Sequence, residues 1–235
     1  MVITATGSGA SHHADNGKRS LDHEKLRVLI ADDHAIVREG LKQLLRECPY
    51  VASTGEAANG NEVLEKVREQ DWDVVILDIS MPGKNGIETL KQIKSERPNL
   101  AVLILSMHAE DQYAVRALKA GAAGYLTKGC ISEQLIAAIT KVARGGKYIT
   151  PVLAERLACA LDPSVVEVPH EVLSNREFQV FRLLAVGKQV SQIGKELSLS
   201  TKTVSTHRAK ILAKMNMKNN AELMFYAIDN GLVSR

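Results

Sequence analysis

The chain has 235 residues, of which 45% are hydrophobic and 24% charged, and its formal net charge is +3. This composition is that of ordinary globular domains and excludes disordered and fibrous classes, and the length allows one or two domains with their own cores. No apolar run approaches the ~18 residues that span a bilayer and no signal peptide is present, so we expect a cytoplasmic protein without membrane contact. The three cysteines are odd in number and far apart, which argues against a disulfide framework or a zinc site.

The first 24 residues show no apolar period and are rich in Gly, Ser and Ala. We predict a flexible tail over residues 1–24.

From Leu26 onward, five short apolar runs each precede a stretch with helical spacing, such as Ile36, Leu41, Leu44 and Leu45 after the first run. The runs are LRVLIA, YVASTGEA, DVVILD, LAVLILS and AAGYLT. Continuous Val, Ile and Leu runs indicate strands that are covered on both faces. We therefore predict an α/β domain over residues 25–147, a doubly wound five-stranded parallel sheet, and expect its chemistry at the carboxyl edge of the sheet.

Five polar side chains follow the ends of four of these strands. They are Asp32, Asp33, Asp78, Ser106 and Lys128. Each alone has a commoner explanation, because an Asp pair often caps a helix and a single Lys is usually solvated. Together at one edge, however, three carboxylates require a compensating cation, and magnesium prefers such oxygen ligands. A lysine and a hydroxyl beside them suit a phosphoryl-accepting site.

Four segments in this half resemble the receiver domain of two-component response regulators. They are LIADDH, VVILDISMPGKNGIE, LILSMHA and GAAGYLTK, and they occur in the expected order and spacing. The resemblance implies that Asp78 accepts a phosphoryl group from a sensor histidine kinase, and that the protein is a regulator and not an enzyme.

The resemblance also assigns roles to the other residues of the motifs. It makes Asp32, Asp33, Asp78 and the carbonyl of Ser80 the magnesium ligands. It makes Ser106 and Lys128 the groups that hold the phosphoryl oxygens and, with Asp78, the catalytic set. Ser106 and Tyr125 form the switch, in which Tyr125 turns inward, although a half-buried strand residue is equally compatible with the pattern at that position. Met81, Pro82 and Gly86 match the tight loop after the acceptor.

The C-terminal part has a different composition. Residues 170–235 carry ten Lys or Arg against five Asp or Glu, whereas residues 25–147 carry seventeen against sixteen. We predict a linker over residues 148–169, with a possible short helix over 152–160, and then a smaller all-α domain over 170–235. Its four helices are predicted near 174–186, 190–197, 201–215 and 219–230. The basic excess indicates a polyanionic partner.

The segment from Lys188 to Met215 is typical of two helices joined by a turn, with Ser200 capping the second. On a helical wheel Val204, Ile211 and Met215 face the core. The opposite arc is small, polar and basic, which suits a helix in a DNA major groove, although an ordinary solvated face has the same periodicity. The candidate DNA contacts are Lys202, Ser205, Thr206, Arg208, Ala209 and Lys210.

Residues 173–188 and the following helices also resemble the LuxR-type helix-turn-helix, so the whole chain is similar to the NarL/FixJ class of response regulators. The family pattern is departed from at Val190, Ser191, Gln192, Gly194 and Asn220. The resemblance implies a phosphorylation-controlled transcriptional regulator that binds double-stranded DNA, forms a homodimer when phosphorylated, and has a recognition helix masked by the unphosphorylated receiver.

Two other functions fit parts of the pattern. An Asp-dependent phosphohydrolase combines the same residue types, but it typically has a second aspartate where this chain has Ser80. Binding to RNA or protein through the basic domain is the other alternative, and the helical motif lacks the aromatic residues that stack on RNA bases.

Overall fold

The computed structural model describes residues 25–81, 85–107, 110–129, 132–161 and 169–233. The predicted N-terminal tail, Pro82 and residues 162–168 of the predicted linker lie outside these residues. Among the helices described, none is long and apolar enough to cross a membrane.

The N-terminal half contains a parallel sheet whose strands run in the order β2-β1-β3-β4-β5. The strands are β1 (Leu26–Ala31), β2 (Val51–Ala57), β3 (Val74–Leu77), β4 (Ala101–Ser106) and β5 (Gly124–Thr127). Strands β3 and β4 are buried along their whole length, as expected for strands covered on both faces. The predicted five-stranded α/β fold is confirmed.

Helices cover both faces of this sheet. They are α1 (Ala35–Arg46), α2 (Gly60–Glu69), α3 (Gly86–Glu96), α4 (Glu110–Lys119) and α5 (Ser132–Ala143). Side chains of α1 and α5 pack in one apolar cluster, while those of α2, α3 and α4 pack in a second cluster on the other face. This arrangement leaves the carboxyl ends of the strands free to form a site.

The apolar spacing predicted for α1 holds for only part of the helix. Leu45 is buried and Leu41 and Leu44 pack partly against the core, but the side chain of Ile36 is 83% exposed. Ile36 lies in the first turn of α1, where the helix buries no side chain.

The C-terminal half is helical, as predicted. It contains α6 (Pro151–Leu161), a 3-10 turn (Pro169–Val172), α7 (Asn175–Ala185), α8 (Val190–Glu196), α9 (Thr201–Lys214) and α10 (Asn220–Asp229). Helix α7 packs against α9 and α10, and α8 packs against α9. Ser174 begins α7 with a capping box with Glu177, and the Ser200 hydroxyl accepts from Thr203 N at 3.0 Å, which confirms the predicted N-cap of α9.

Helix α6 is one residue longer at each end than the predicted segment and is part of the packed structure. Its Leu153 is fully buried, and the helix packs against α4. A single apolar cluster continues from α4 through Leu153 to Phe178 of α7. The N-terminal and C-terminal halves are therefore joined by a hydrophobic contact and not only by the chain.

Candidate phosphoacceptor and DNA-binding sites

Three carboxylates meet at the carboxyl edge of the sheet. Asp32 and Asp33 follow β1, and Asp78 follows the neighbouring strand β3. One oxygen of each carboxylate, together with a ring nitrogen of His34, can be chosen so that all four atoms lie within 4.8 Å of one another. Asp32 and Asp78 are almost fully buried. The structure thus brings together the acidic residues that the sequence placed at this edge.

Lys128, which follows β5, bridges two of these carboxylates. Its Nζ lies 2.6 Å from Asp32 Oδ2 and 2.8 Å from Asp78 Oδ2. Burial lowers the pKa of Lys128, but the two carboxylate hydrogen bonds raise it further, so the ammonium group stays charged. For Asp78, burial raises the pKa of the carboxyl and the bond from Lys128 offsets only part of that effect. The Asp78 carboxylate is therefore a costly buried charge that a cation would stabilise.

The donor atoms of this cluster fit a hard cation. Asp33 Oδ1 is buried and accepts no hydrogen bond, although His34 Nδ1 lies 2.9 Å away. Carboxylate oxygens left without donors are the ligands that magnesium takes in proteins. Ser80 lies beside the acceptor, since its N–H donates to Asp78 Oδ1 at 3.2 Å. The role of the Ser80 carbonyl as a further ligand stays a prediction.

Gly86 fixes the main chain of the acceptor by close approach. A Cβ atom at this position would overlap the carbonyl oxygen of Asp78 and lie 2.7 Å from Ile79 Cα. The Gly86 N–H also donates to the Ile79 carbonyl at 3.0 Å. Any side chain here would displace the backbone that carries the Asp78 carboxylate.

Ser106 and Tyr125 lie between the acidic cluster and the C-terminal half. Ser106 ends β4 and is buried, and its hydroxyl is hydrogen-bonded to the Tyr125 side chain. Tyr125 is fully buried, so its ring already points inward, and burial raises the pKa of its hydroxyl. The half-buried alternative at this position is wrong, whereas the switching role stays a prediction.

Next to Tyr125, the face of α4 contacts the C-terminal half. The ring of Tyr113 meets that of Phe178 edge-on, with centroids 5.3 Å apart. On the other side, the Arg182 guanidinium lies 5.6 Å from the Tyr113 ring centroid. Tyr113 lies in the same apolar cluster as Tyr125. The ring contact between Tyr113 and Phe178 therefore joins this part of the N-terminal half to α7.

Arg116 of α4 adds polar bonds to this contact. Its Nη1 donates to the carbonyl of Leu173 at 2.7 Å and its Nη2 to that of His170 at 2.5 Å. The guanidinium carbon lies 4.3 Å from the centroid of the Phe178 ring. We call Tyr113, Arg116 and Phe178, with the two carbonyls, the interdomain clamp.

Helix α9 presents the surface that the helical wheel predicted. Val204, Ile211 and Met215 are buried. The side chains on the opposite arc are exposed: Lys202, Ser205, Thr206, Ala209, Lys210 and Ala213. The predicted masking of this arc is therefore not observed among the described residues, and α4 contacts the 3-10 turn and α7.

Arg208 lies beside this exposed arc and is partly buried. Its Nε donates to Asn220 Oδ1 of α10 at 2.7 Å. Asn220 is one of the positions that departs from the family pattern, where Arg is frequent. The short amide here holds the Arg208 guanidinium at the edge of the arc.

The comparisons with known proteins agree with both halves. Residues 28–140 match the response regulator receiver domain, and residues 171–227 match the luxR family of bacterial regulatory proteins. The response regulator GacA of Pseudomonas viridiflava is 37% identical over 209 residues, which cover 88% of this chain and 98% of GacA.

This chain is a two-component response regulator of the NarL/FixJ class. Two solved structures of the regulator RcsB, each 28% identical, cover 86% of this response regulator and 98% of their own chains. One is RcsB from Salmonella enterica bound to the promoter rprA with phosphomimetic BeF3⁻, with a TM-score of 0.60. The other, with a TM-score of 0.54, shows two RcsB dimers bound to two parallel DNAs. The family is one of DNA-binding transcription regulators.

Sequence reasoning missed several residues of this response regulator that the structure places in or beside the site. His34 lies against the acidic pair, and its place directly after two aspartates could have suggested this. Arg38 donates to the Asp32 carbonyl, and an arginine one turn later in α1 was a weaker signal. For Arg116 no sequence signal existed, because its partners lie more than fifty residues away.

The raised pKa of Asp78 predicts a pH-dependent gain in stability for Asp78→Asn. In the folded wild type the charged Asp78 carboxylate is buried, whereas the amide of the variant carries no charge. Because the folded-state pKa is raised, the wild-type carboxyl favours folding when protonated and loses that contribution as pH rises through this pKa. We expect the free energy of unfolding of the variant to exceed that of the wild type by about 1 kcal/mol at neutral pH. This difference should narrow as pH falls.

Thermal unfolding in metal-free buffer between about pH 4 and pH 8 measures this difference. Asp71→Asn is the matched control, since the Asp71 side chain is 65% exposed, and it should change stability little at any pH. An Asp78→Asn variant that is less stable than wild type throughout would show that the Lys128 bond outweighs the burial of the charge.

Proposed function

We propose that Asp78 accepts a phosphoryl group from a sensor histidine kinase, and that this controls dimerisation and promoter binding by the helix-turn-helix domain. The proposal assigns residues 25–147 to the receiver, 148–169 to the linker and 170–235 to the DNA-binding domain, after a tail over residues 1–24. The observation that carries it is the burial of Asp78 in a cluster with Asp32 and Asp33, where the Lys128 ammonium bridges Asp32 and Asp78.

The transfer makes one bond and breaks another. A carboxylate oxygen of Asp78 attacks phosphorus, and the bond from phosphorus to the histidine nitrogen of the kinase breaks, with its electron pair left on that nitrogen. Magnesium, held by Asp32, Asp33 and Asp78, would neutralise the charge that spreads over the phosphoryl oxygens. Lys128 and the Ser106 hydroxyl stand at the same edge to bond these oxygens afterwards.

The new charge changes the bonds around the switch. The acyl phosphate carries about two negative charges where the carboxylate carried one, and its oxygens attract Lys128 and the Ser106 hydroxyl. Since the Ser106 hydroxyl is bonded to Tyr125, its movement would disturb the apolar cluster that Tyr125 shares with the clamp residue Tyr113. The consequence is a shift of the interdomain clamp, which frees the C-terminal half to pair with a second copy.

The exposed arc of α9 supports the assignment of DNA as the partner. Lys202 and Lys210 carry long cationic arms at the flanks of the arc, while Ser205, Thr206 and Ala209 are short enough to let the helix approach base edges. The dimeric, DNA-bound assembly reported for RcsB supports the same arrangement for this chain. The test is binding of the full chain to genomic DNA, mapped with and without a phosphoryl donor.

Within this surface, we expect the lysines and Arg208 to have separable effects. Lys202→Ala or Lys210→Ala should lower the affinity for the cognate and the scrambled duplex alike, because phosphate contacts do not depend on base sequence. Either change should also lower the salt slope of binding by about one. Arg208→Ala should cost about 1 to 3 kcal/mol on the cognate duplex alone, because arginine reads guanine in the major groove.

Titrations of both duplexes at several salt concentrations measure these effects. Lys188→Ala is the control, since its ammonium pairs with Glu196 away from the arc. Our orientation of α9 is wrong if Arg208→Ala lowers the affinity for both duplexes equally while Lys202→Ala lowers the affinity for the cognate duplex alone.

A further inference from the structure

Arg38 connects the end of β1 to the neighbouring strand. Its guanidinium reaches from the first turns of α1 and its side chain is only 16% exposed. Nη1 donates to the main-chain carbonyl of Asp32 at 2.8 Å, and Nε donates to Glu56 Oε2 at 3.2 Å. The Arg38 side chain thus donates a hydrogen bond to the main chain of Asp32, whose carboxylate belongs to the acidic cluster.

Glu56 is itself held in place. It lies near the end of β2, where it pairs in register with Ile30 of β1. Its second oxygen, Oε1, accepts from Lys42 Nζ at 2.6 Å, and Lys42 also contacts Glu39 at 2.6 Å. The Arg38 guanidinium is therefore anchored at a fixed distance from the sheet and cannot turn freely away from the Asp32 carbonyl.

The turn after β1 depends on this carbonyl. The Asp32 N–H donates to the Ala57 carbonyl at 3.1 Å, so Arg38 and β2 together hold both ends of the residue's backbone. The next turn carries Asp33 and His34, and His34 begins α1 without a side-chain cap. Its N–H donates instead to Asp32 Oδ1 at 2.9 Å. The backbone from which both carboxylates extend is therefore held at the Asp32 peptide group.

We infer that Arg38 is a positioning residue for the metal ligands, which holds the Asp32–Asp33 turn so that both carboxylates face Asp78 before the cation binds. The inference rests on the proposed magnesium site. Arg38 contacts the main chain of a ligand and not the cation, and such supporting groups typically account for ten- to a hundredfold in metal affinity.

Magnesium titration of the unphosphorylated full chain by calorimetry tests this role. We expect Arg38→Ala to raise the Kd for magnesium roughly tenfold. Arg38→Lys should restore part of the loss, because an ammonium group can still donate to the Asp32 carbonyl. Arg27→Ala is the matched control: Arg27 pairs with Asp73 at the opposite end of β1, and its loss should leave the Kd unchanged.

A metal-free measurement separates positioning from general stability. Amide hydrogen exchange of Arg38→Ala should accelerate at residues 32–34 and stay unchanged in β4, whereas Arg27→Ala should not affect residues 32–34. If Arg38→Ala does not fold, the magnesium Kd of Glu56→Gln tests the inference instead. This change removes the charge of the partly exposed carboxylate that holds the Arg38 guanidinium. A raised Kd in that variant supports the inference, and an unchanged Kd overturns it.

The two proposals fail in different ways. A wild-type chain that binds no magnesium would refute the metal site itself. A wild-type chain that binds magnesium with the same Kd as Arg38→Ala would refute only the positioning role.

Discussion

Asp78→Asn should abolish phosphorylation completely. The Asp78 carboxylate is buried, follows the central strand β3 and contacts Lys128 at 2.8 Å, and an amide offers phosphorus no comparable nucleophile. Incubation with acetyl phosphate and magnesium, followed by intact-mass measurement, shows the adduct directly. The wild-type chain should gain one phosphoryl group and the variant none.

The control for this experiment is Asp71→Asn, which removes an exposed carboxylate outside the acidic cluster and should leave the adduct unchanged. Omission of magnesium should suppress the wild-type adduct, because three clustered carboxylates repel an incoming phosphoryl group. An undiminished adduct on Asp78→Asn would place the acceptor elsewhere in the chain.

Arg116→Ala should raise DNA affinity in the absence of any phosphoryl donor. The variant removes two charge-assisted hydrogen bonds to main-chain carbonyls and a contact with the Phe178 ring, all of which join α4 to the C-terminal half. We expect a roughly tenfold gain, which corresponds to about 1.4 kcal/mol in favour of the released arrangement. Fluorescence anisotropy with a cognate duplex measures it.

Arg97→Ala is the matched control for this variant. Arg97 lies in the same domain, and its exposed side chain forms an ion pair with Asp71. Its loss should not change DNA binding. Phosphorylation should add less affinity to Arg116→Ala than to wild type, since the clamp is already broken. If Arg116→Ala bound DNA no better than unphosphorylated wild type, the clamp would have no role in control.

We propose that the clamp controls DNA binding, in place of the masking mechanism that the sequence suggested. In that mechanism the receiver covers the recognition helix, but the arc of α9 is exposed while α4 holds the 3-10 turn and α7. In this proposal the constraint acts on the orientation of the DNA-binding half. An accessible helix held in an orientation that does not suit pairing with a second copy would not bind a two-site promoter with full affinity.

The sequence by itself determined the sheet, the edge of the site and the faces of α9. Continuous apolar runs such as those of β3 and β4 require helices on both sides, and parallel strands bring their carboxyl ends to one edge. Asp32 and Asp78 could therefore be placed together without coordinates. The buried positions of α9 followed from a helical period that depends on neighbouring residues alone.

Only the tertiary structure decided which side chains bond across these elements. Lys128 bridges Asp32 and Asp78 because three strand ends meet within reach of one ammonium group. The bond from Arg38 to the Asp32 carbonyl and those from Arg116 to Leu173 and His170 depend on the packing of helices onto different partners. Local periodicity carries no information about such contacts, because a main-chain carbonyl is present at every residue and only the packing selects which one is met.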